Sequence, residues 1–251
     1  GGAVVVQAVK TGEILACASY PTYDLSTYNR DFKELSEDPY KPLYDRALLA
    51  EYAPGSIYKM VTAIAAIDMG HIGEYYEITD EGVYMYYAKE NFKTKCYVWR
   101  SSSATHGTVN MRYSATFLSR IVSWDYQSLI KEHEPEVAST LDISDEALDC
   151  IDKGMRMTAK VGTAKNYLAN YPIEVACKTG TAQWQGVTSD GSVSGSDNAS
   201  FVIYAPADDP EIAIAVYVEK GAQGGSLANV CIPIMDAYFS GETKYETILT
   251  E

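Results

Sequence analysis

Two dense apolar runs open the chain, "AVVVQAV" (3–9) and "EILACASY" (13–20), with Lys10-Thr11-Gly12 between them. Runs of strand length around a Gly-containing turn predict a β-hairpin. Residues 22–53 are polar and tyrosine-rich and show no clear periodicity. After Pro54-Gly55 the pattern changes. Met60, Ala63, Ile64 and Ile67 recur at i, i+3, i+4 and i+7, which predicts a helix that Gly70 would stop. Weak patterns over 71–111 predict only short elements. Ser144 is a good N-cap for a second helix that presents Leu148, Ile151 and Met155 on one face. "IEVACKTGTAQ" (173–183) is strand-like up to Lys178, and "GVTSDGSVSGSDN" (186–198) reads as a mobile loop. "ASFVIYAP" and "EIAIAVYVE" are two further strands joined through Ala207-Asp208-Asp209-Pro210, and a helix over roughly 226–239 closes the pattern. The order predicts a single domain over 1–251 of the α/β (α+β) class, a central antiparallel sheet flanked by helices. No internal repeat is visible.

Composition narrows the function classes. Of 251 residues 47% are hydrophobic and 22% charged, a globular balance. The net charge of −14 argues against a nucleic-acid partner, which would favour a basic stripe. No apolar run reaches transmembrane length. The first residues already read as a strand, so any leader or anchor is expected upstream of this chain. Cys17, Cys96, Cys150, Cys177 and Cys231 are scattered and odd in number, without a CxxC pair, so buried free thiols are expected rather than a disulfide framework or a zinc site. His71, His106 and His133 lack metal-binding spacing, nothing positions a Ser-His-Asp triad, and "KGAQGGS" (220–226) lacks P-loop spacing. Neither metal nor organic cofactor is implied. The twenty-one tyrosines have no functional account.

Two short motifs carry chemistry. In "PGSIYK", Pro54 and Gly55 break the chain so that Ser56 falls at a helix N-terminus, where unpaired N–H groups favour developing negative charge. Lys59 shares its helix face at i+3. A serine hydroxyl needs such a neighbour to act as a nucleophile, and the lysine serves as base once burial lowers its pKa. On the local sequence alone, a Ser56 N-cap and a solvated Lys59 fit equally well. In "CKTGTAQ", Lys178, Thr179 and Thr181 offer an ammonium and two hydroxyls for a carboxylate at a strand end. Gly180 removes a side chain where a ligand backbone could lie close. The bland alternative there is a strand running into an ordinary turn.

Together, in this order, the two motifs match a known set. The chain resembles the transpeptidase domain of penicillin-binding proteins, and is most similar to the class B, monofunctional kind. The resemblance rests on "GAVVVQAVKTGEILACASYPTYDL" (2–25), "RALLAEYAPGSIYKMVTAIAAID" (46–68), "THGTVNM" (105–111), "VACKTGTAQ" (175–183) and "ASFVIYAPADDPEIAIAVYVEKG" (199–221). It implies the penicilloyl-serine transferase fold, a sheet with an all-helical portion, and a peptidoglycan D,D-transpeptidase acylated by D-Ala-D-Ala stem peptides or β-lactam antibiotics. Carried over, Ser56 is the nucleophile and Lys59 its base. Lys178, Thr179, Gly180 and Thr181 form the substrate site, and the backbone N–H groups of Ser56 and Thr181 form the oxyanion hole. The resemblance further implies the extracytoplasmic face of a bacterial membrane and other cell-wall synthesis proteins as partners.

The pattern departs from the family in one respect. The family's middle motif, Ser-x-Asn, is absent between Ser56 and Lys178. The one such triplet, Ser196-Asp197-Asn198, follows Lys178 in a Gly/Ser-rich stretch and reads as coincidental. "HGTVNM" is similar to the lead-in to the middle motif and "RYSATFLSRIV" (112–122) to a segment well beyond it. A discontinuity near Met111–Arg112, with part of the helical portion missing, is therefore expected. Three rival functions stay open: a β-lactamase, a β-lactam sensor domain and a catalytically impaired cell-wall scaffold.

Overall fold

A computed structural model describes residues 1–73, 143–182, 197–221 and 223–241, together with short strands in the intervening stretches. The predicted hairpin forms as β1 (Gly2–Ala8) and β2 (Ile14–Tyr20), paired from Gly2↔Tyr20 to Gln7↔Ile14. Its turn needs Gly12, which sits at φ +75°. α1 (Tyr28–Glu37) follows, then a 3-10 turn (Gly55–Tyr58) that runs directly into α2 (Lys59–Asp68). Four two-stranded ladders come from short strands: β3 (Val83–Tyr84) with β4 (Thr94–Lys95), β5 (Met111–Tyr113) with β8 (Val137–Thr140), β6 (Arg120–Val122) with β7 (Leu129–Glu132), and β10 (Gly186–Val187) with β11 (Val193–Ser194). α3 (Asp145–Lys160) and α4 (Lys165–Leu168) precede β9 (Ala176–Ala182). β12 (Asn198–Ala205), β13 (Ile212–Val218) and α5 (Ala228–Phe239), the last entered through a 3-10 turn (Gly224–Leu227), complete the chain's main elements.

The main sheet has the order β2-β1-β13-β12-β9, and each neighbouring pair is antiparallel. The long-range β1–β13 ladder, from Gly2↔Val218 to Ala8↔Ile212, joins the front of the chain to its back. β9 lies at the edge. Strand side chains alternate between faces, and both faces are covered. Cys177 of β9 with Ala199, Phe201 and Ile203 of β12 packs on Leu227, Ala228, Cys231 and Met235 in the main core. Ala176 and Tyr204, one step along the pleat, meet Met155 of α3 and Met60 of α2. Phe201 and Ile151 are completely buried.

Ser144 caps α3 as expected, its Oγ accepting from Ala147 N at 3.2 Å. Ile151 and Met155 are buried on the expected face, Leu148 is only half-buried, and the closest packing runs through Ala147, Cys150, Gly154 and Thr158. Three expectations need correction. α1 lies in the stretch read as aperiodic, and none of its residues is buried. Tyr28, Phe32 and Leu35 do stand at i, i+4 and i+7, and the Tyr28 and Phe32 rings meet edge-on at 5.4 Å. β9 does not end at Lys178 but continues through Ala182, because β12 pairs with it to Asn198↔Ala182. Cys17 is exposed on β2, whereas Cys150, Cys177 and Cys231 are buried free thiols as expected. Within "GVTSDGSVSGSDN" the β10–β11 ladder forms, and Asn198 opens β12 with its Oδ1 accepting from Lys220 N at 2.9 Å. Ser196, Cys96, His106, His133 and most of "THGTVNM" lie outside the described residues. Among the described residues no helix is long and apolar enough to cross a membrane.

α5 enters over the sheet through Gly224, where a Cβ would lie 2.5 Å from Gly180 O and 2.6 Å from Ser200 O. Both obstacles are backbone, so a side chain there must push the turn off β9 and β12. Overpacking of this kind costs about 1–3 kcal/mol. Calorimetry of Gly224→Ala should therefore show a Tm lower by about 2–10 °C for a domain of this size. An unchanged Tm would show that the turn yields freely.

Candidate active site

The Ser56 turn is shaped by two glycines on different elements. Gly55 takes φ +58°, a conformation L side chains rarely adopt. A Cβ on it would lie 2.9 Å from Thr181 O and 3.2 Å from Ala182 Cα. From the other side, a Cβ on Gly180 would meet Ile57 Cγ1 at 3.0 Å, Pro54 O at 3.2 Å and Ser200 Oγ at 2.1 Å. The turn that carries Ser56 thus rests directly on β9. This revises the reading of Gly180, since the space left by its missing side chain is filled by the protein's own Pro54–Ile57 segment.

Ser56 is half-buried within the 3-10 turn, and Lys59 is the first residue of α2. Side chains three apart eclipse one another in a 3-10 turn, so Ser56 and Lys59 share a side. Lys59, however, is exposed. Lys178 is the buried lysine, with 7% of its surface exposed. Its pKa is pushed down to about 8, by burial first and then by the positive charge of Lys59, against a small opposing effect of Cys177. Its Nζ donates to Thr179 O at 2.5 Å. Among the described residues it has no carboxylate partner, and an ammonium so placed is suited to an incoming anion.

The pleat separates the remaining members. Lys178 and Gly180 face the α2–α3 side, while Thr179 and Thr181 project from the opposite side of the same edge strand. Thr179 Oγ1 lies 2.8 Å from Thr163 Oγ1 in the turn between α3 and α4. The four motif residues therefore share an edge rather than a face. Sequence reasoning missed Thr163, and it missed Ser200, which pairs with Gly180 across the ladder and places its Oγ 3.4 Å from Pro54 O. Ser200 did carry a signal, as a polar residue inside an apolar strand, and it is 2% exposed.

Comparison with known proteins matches this arrangement to a family. The family model described as "Penicillin binding protein transpeptidase domain" matches residues 2–117 and 108–236. The chain belongs to that family. It is similar to the peptidoglycan D,D-transpeptidase MrdA of Acinetobacter baumannii, at 24% identity over 97% of this chain and 51% of that protein. It therefore spans about half the length of that relative. The alignment runs over 349 positions and uses 97% of these 251 residues, so about 100 positions have no counterpart here. Among solved structures, PBP2 of Pseudomonas aeruginosa in complex with WCK 5153 superposes with a TM-score of 0.75 at 20% identity, over 94% of this chain and 70% of that one. The penicillin G acyl-enzyme complex of penicillin-binding protein A from M. tuberculosis gives 0.72 at 18% identity, over 95% and 74%. These likenesses establish the fold.

The depressed Lys178 has a consequence for stability. Below pH about 8 both folded and unfolded chains carry its proton, and the folded state bears the full cost of the buried charge. Between about 8 and the ordinary 10.5 the folded state holds fewer protons, so stability rises with pH. Lys178→Met removes this dependence. Its Tm advantage over wild type should be largest at pH 7 and shrink as pH approaches 10, measured by scanning fluorimetry. A gap independent of pH would refute the buried charge.

Proposed function

We propose that the chain is the catalytic portion of a peptidoglycan D,D-transpeptidase working through an acyl-serine intermediate. The observation that carries this reading is the seating of the Ser56 turn on β9 beside the buried Lys178, which has no carboxylate partner among the described residues. It sets a hydroxyl, backbone N–H groups and a cation around one edge. The carboxylate of a D-Ala-D-Ala stem peptide would be held by Lys178; Thr179 and Thr181, assigned to the same site by the family resemblance, lie along the same strand edge with their side chains on its other face. Ser56 Oγ would attack the penultimate D-Ala carbonyl, with the oxyanion received by the N–H groups of Ser56 and Thr181. The hydroxyl proton would pass through the Lys59 amine to the departing amine of the terminal D-Ala. An amine of a neighbouring stem would then take the acyl group and return Ser56 to its hydroxyl form. β-Lactams would acylate the same serine, and their stable ester would block it. The acyl-enzyme of the mycobacterial relative supports this reading by family likeness.

A discontinuity near Met111–Arg112 belongs to the same proposal. Two facts support it: the family model matches in two segments that overlap only at 108–117, and about 100 positions of the MrdA relative are unmatched. A second reading, a cell-wall scaffold with impaired catalysis, is favoured by the exposure of Lys59 and the missing Ser-x-Asn motif.

Intact-protein mass spectrometry after labelled penicillin separates the two. A transpeptidase gives a long-lived adduct on wild type that Ser56→Ala abolishes, and Lys59→Ala slows its formation by about 10²–10⁴-fold. Rapid release of the adduct would instead indicate a β-lactamase. Absence of any adduct leaves the scaffold.

A further inference from the structure

The segment that delivers Ser56 is held at two points by one carboxylate outside the active-site motifs. Glu219 stands just beyond the end of β13. Its Oε1 accepts from Arg46 Nε at 3.0 Å and from Tyr52 Oη at 2.8 Å. The Arg46 side chain is only 6% exposed and donates also to Tyr40 O at 2.9 Å, Lys41 O at 3.3 Å and Tyr44 O at 3.4 Å. The Tyr52 ring stacks on Tyr217 of β13 with centroids 3.9 Å apart. Burial works to raise the Glu219 pKa, but hydrogen bonds from Tyr52 and Arg46 outweigh it and hold the carboxyl below its ordinary range.

Apart from the Tyr52–Tyr217 stack, apolar burial does not hold this segment. Leu48 and Leu49, between the two anchors, are 59% and 62% exposed. Its inner order is local: Asp45 Oδ1 accepts from Ala47 N and Leu48 N, and Tyr44 Oη donates to Leu49 O. The polar anchors therefore decide where residue 52 sits. Only Ala53 and Pro54 separate that residue from Gly55, whose position against Thr181 tolerates little displacement.

We propose that Glu219, acting through Arg46 and Tyr52, is a positioning residue that sets the depth of the Ser56 turn against β9. The proposal rests on the acyl-serine reading above. Glu219 touches no reacting atom; it fixes a strap that enters the site from one end while β9 supports it from the other. Displacement of a nucleophile by a fraction of an ångström slows the chemical step more than it weakens substrate capture. Capture would remain with Lys178.

The test uses the whole protein and a fluorescent penicillin, with stopped-flow separation of the pre-acylation dissociation constant from the acylation rate constant. Tyr52→Phe keeps the ring stack and deletes only the hydroxyl. Glu219→Gln keeps the shape and deletes the charge. Both should lower the acylation rate constant about 10- to 100-fold with the dissociation constant unchanged within twofold. The double variant should lose no more than the worse single one, because both act through one carboxylate. Rate constants within twofold of wild type in folded Tyr52→Phe protein would overturn the proposal. So would a weakened dissociation constant with the rate intact. If wild type forms no adduct at all, the acyl-serine reading itself fails and the positioning role falls with it.

Discussion

The site depends on one close contact, the seating of a tight turn on the edge strand of the sheet. Gly55 lies against Thr181, and Gly180 admits Pro54 and Ile57. Neither glycine can gain a Cβ without moving its neighbours. Protein interiors are packed too densely to absorb such a change in place. The contact also explains why Gly224 must be small on the far side, since the β9–β12 backbone is approached from both faces at the same step of the ladder. Three glycines far apart in the chain thus serve one narrow layer.

Electrostatics then give this contact its chemical character. The chain carries a net charge of −14, yet its motif edge is cationic, with Lys178 buried and Lys59 near enough to depress it. Among the described residues this buried ammonium has no carboxylate partner, and its cost is greatest below pH about 8, where the charge is present. Glu219 illustrates the contrasting case, a carboxylate whose hydrogen-bonded partners outweigh its burial. Lys178 has no carboxylate partner among the described residues, whereas Glu219 is held by Arg46 and Tyr52.

Much of this was legible along the chain, and the failures have physical causes. The hairpin, the later strands and α3 obeyed their periodicities because their apolar faces meet the core. β9 was cut short because Lys, Thr and Gly are poor continuations of an apolar run, and only the tertiary ladder with β12 carries the strand through them. α1 was missed because it buries nothing and rests on local turns, including Ser26 N donating to Asp24 Oδ1 at 2.8 Å. The two candidate motifs were visible as strings, but their face assignment was not. Alternation alone could have sent Lys178 and Thr179 to opposite sides of the pleat. The Arg46–Glu219 pair spans 173 positions and leaves no local trace.

The exposure of Lys59 is the point at which the fold and the proposed chemistry pull apart. α2 itself is apolar around much of its circumference, yet only Ile67 is buried, while Tyr58, Val61 and Met69 are more than half exposed. A helix of that composition normally lies under another layer. About 100 aligned positions of the MrdA relative have no counterpart in this chain, and the two segments matched by the family model meet at 108–117, between α2 and β9. A covering layer there would desolvate α2 and Lys59 together. The proposed discontinuity would then account for the absent Ser-x-Asn motif and the exposed Lys59 together.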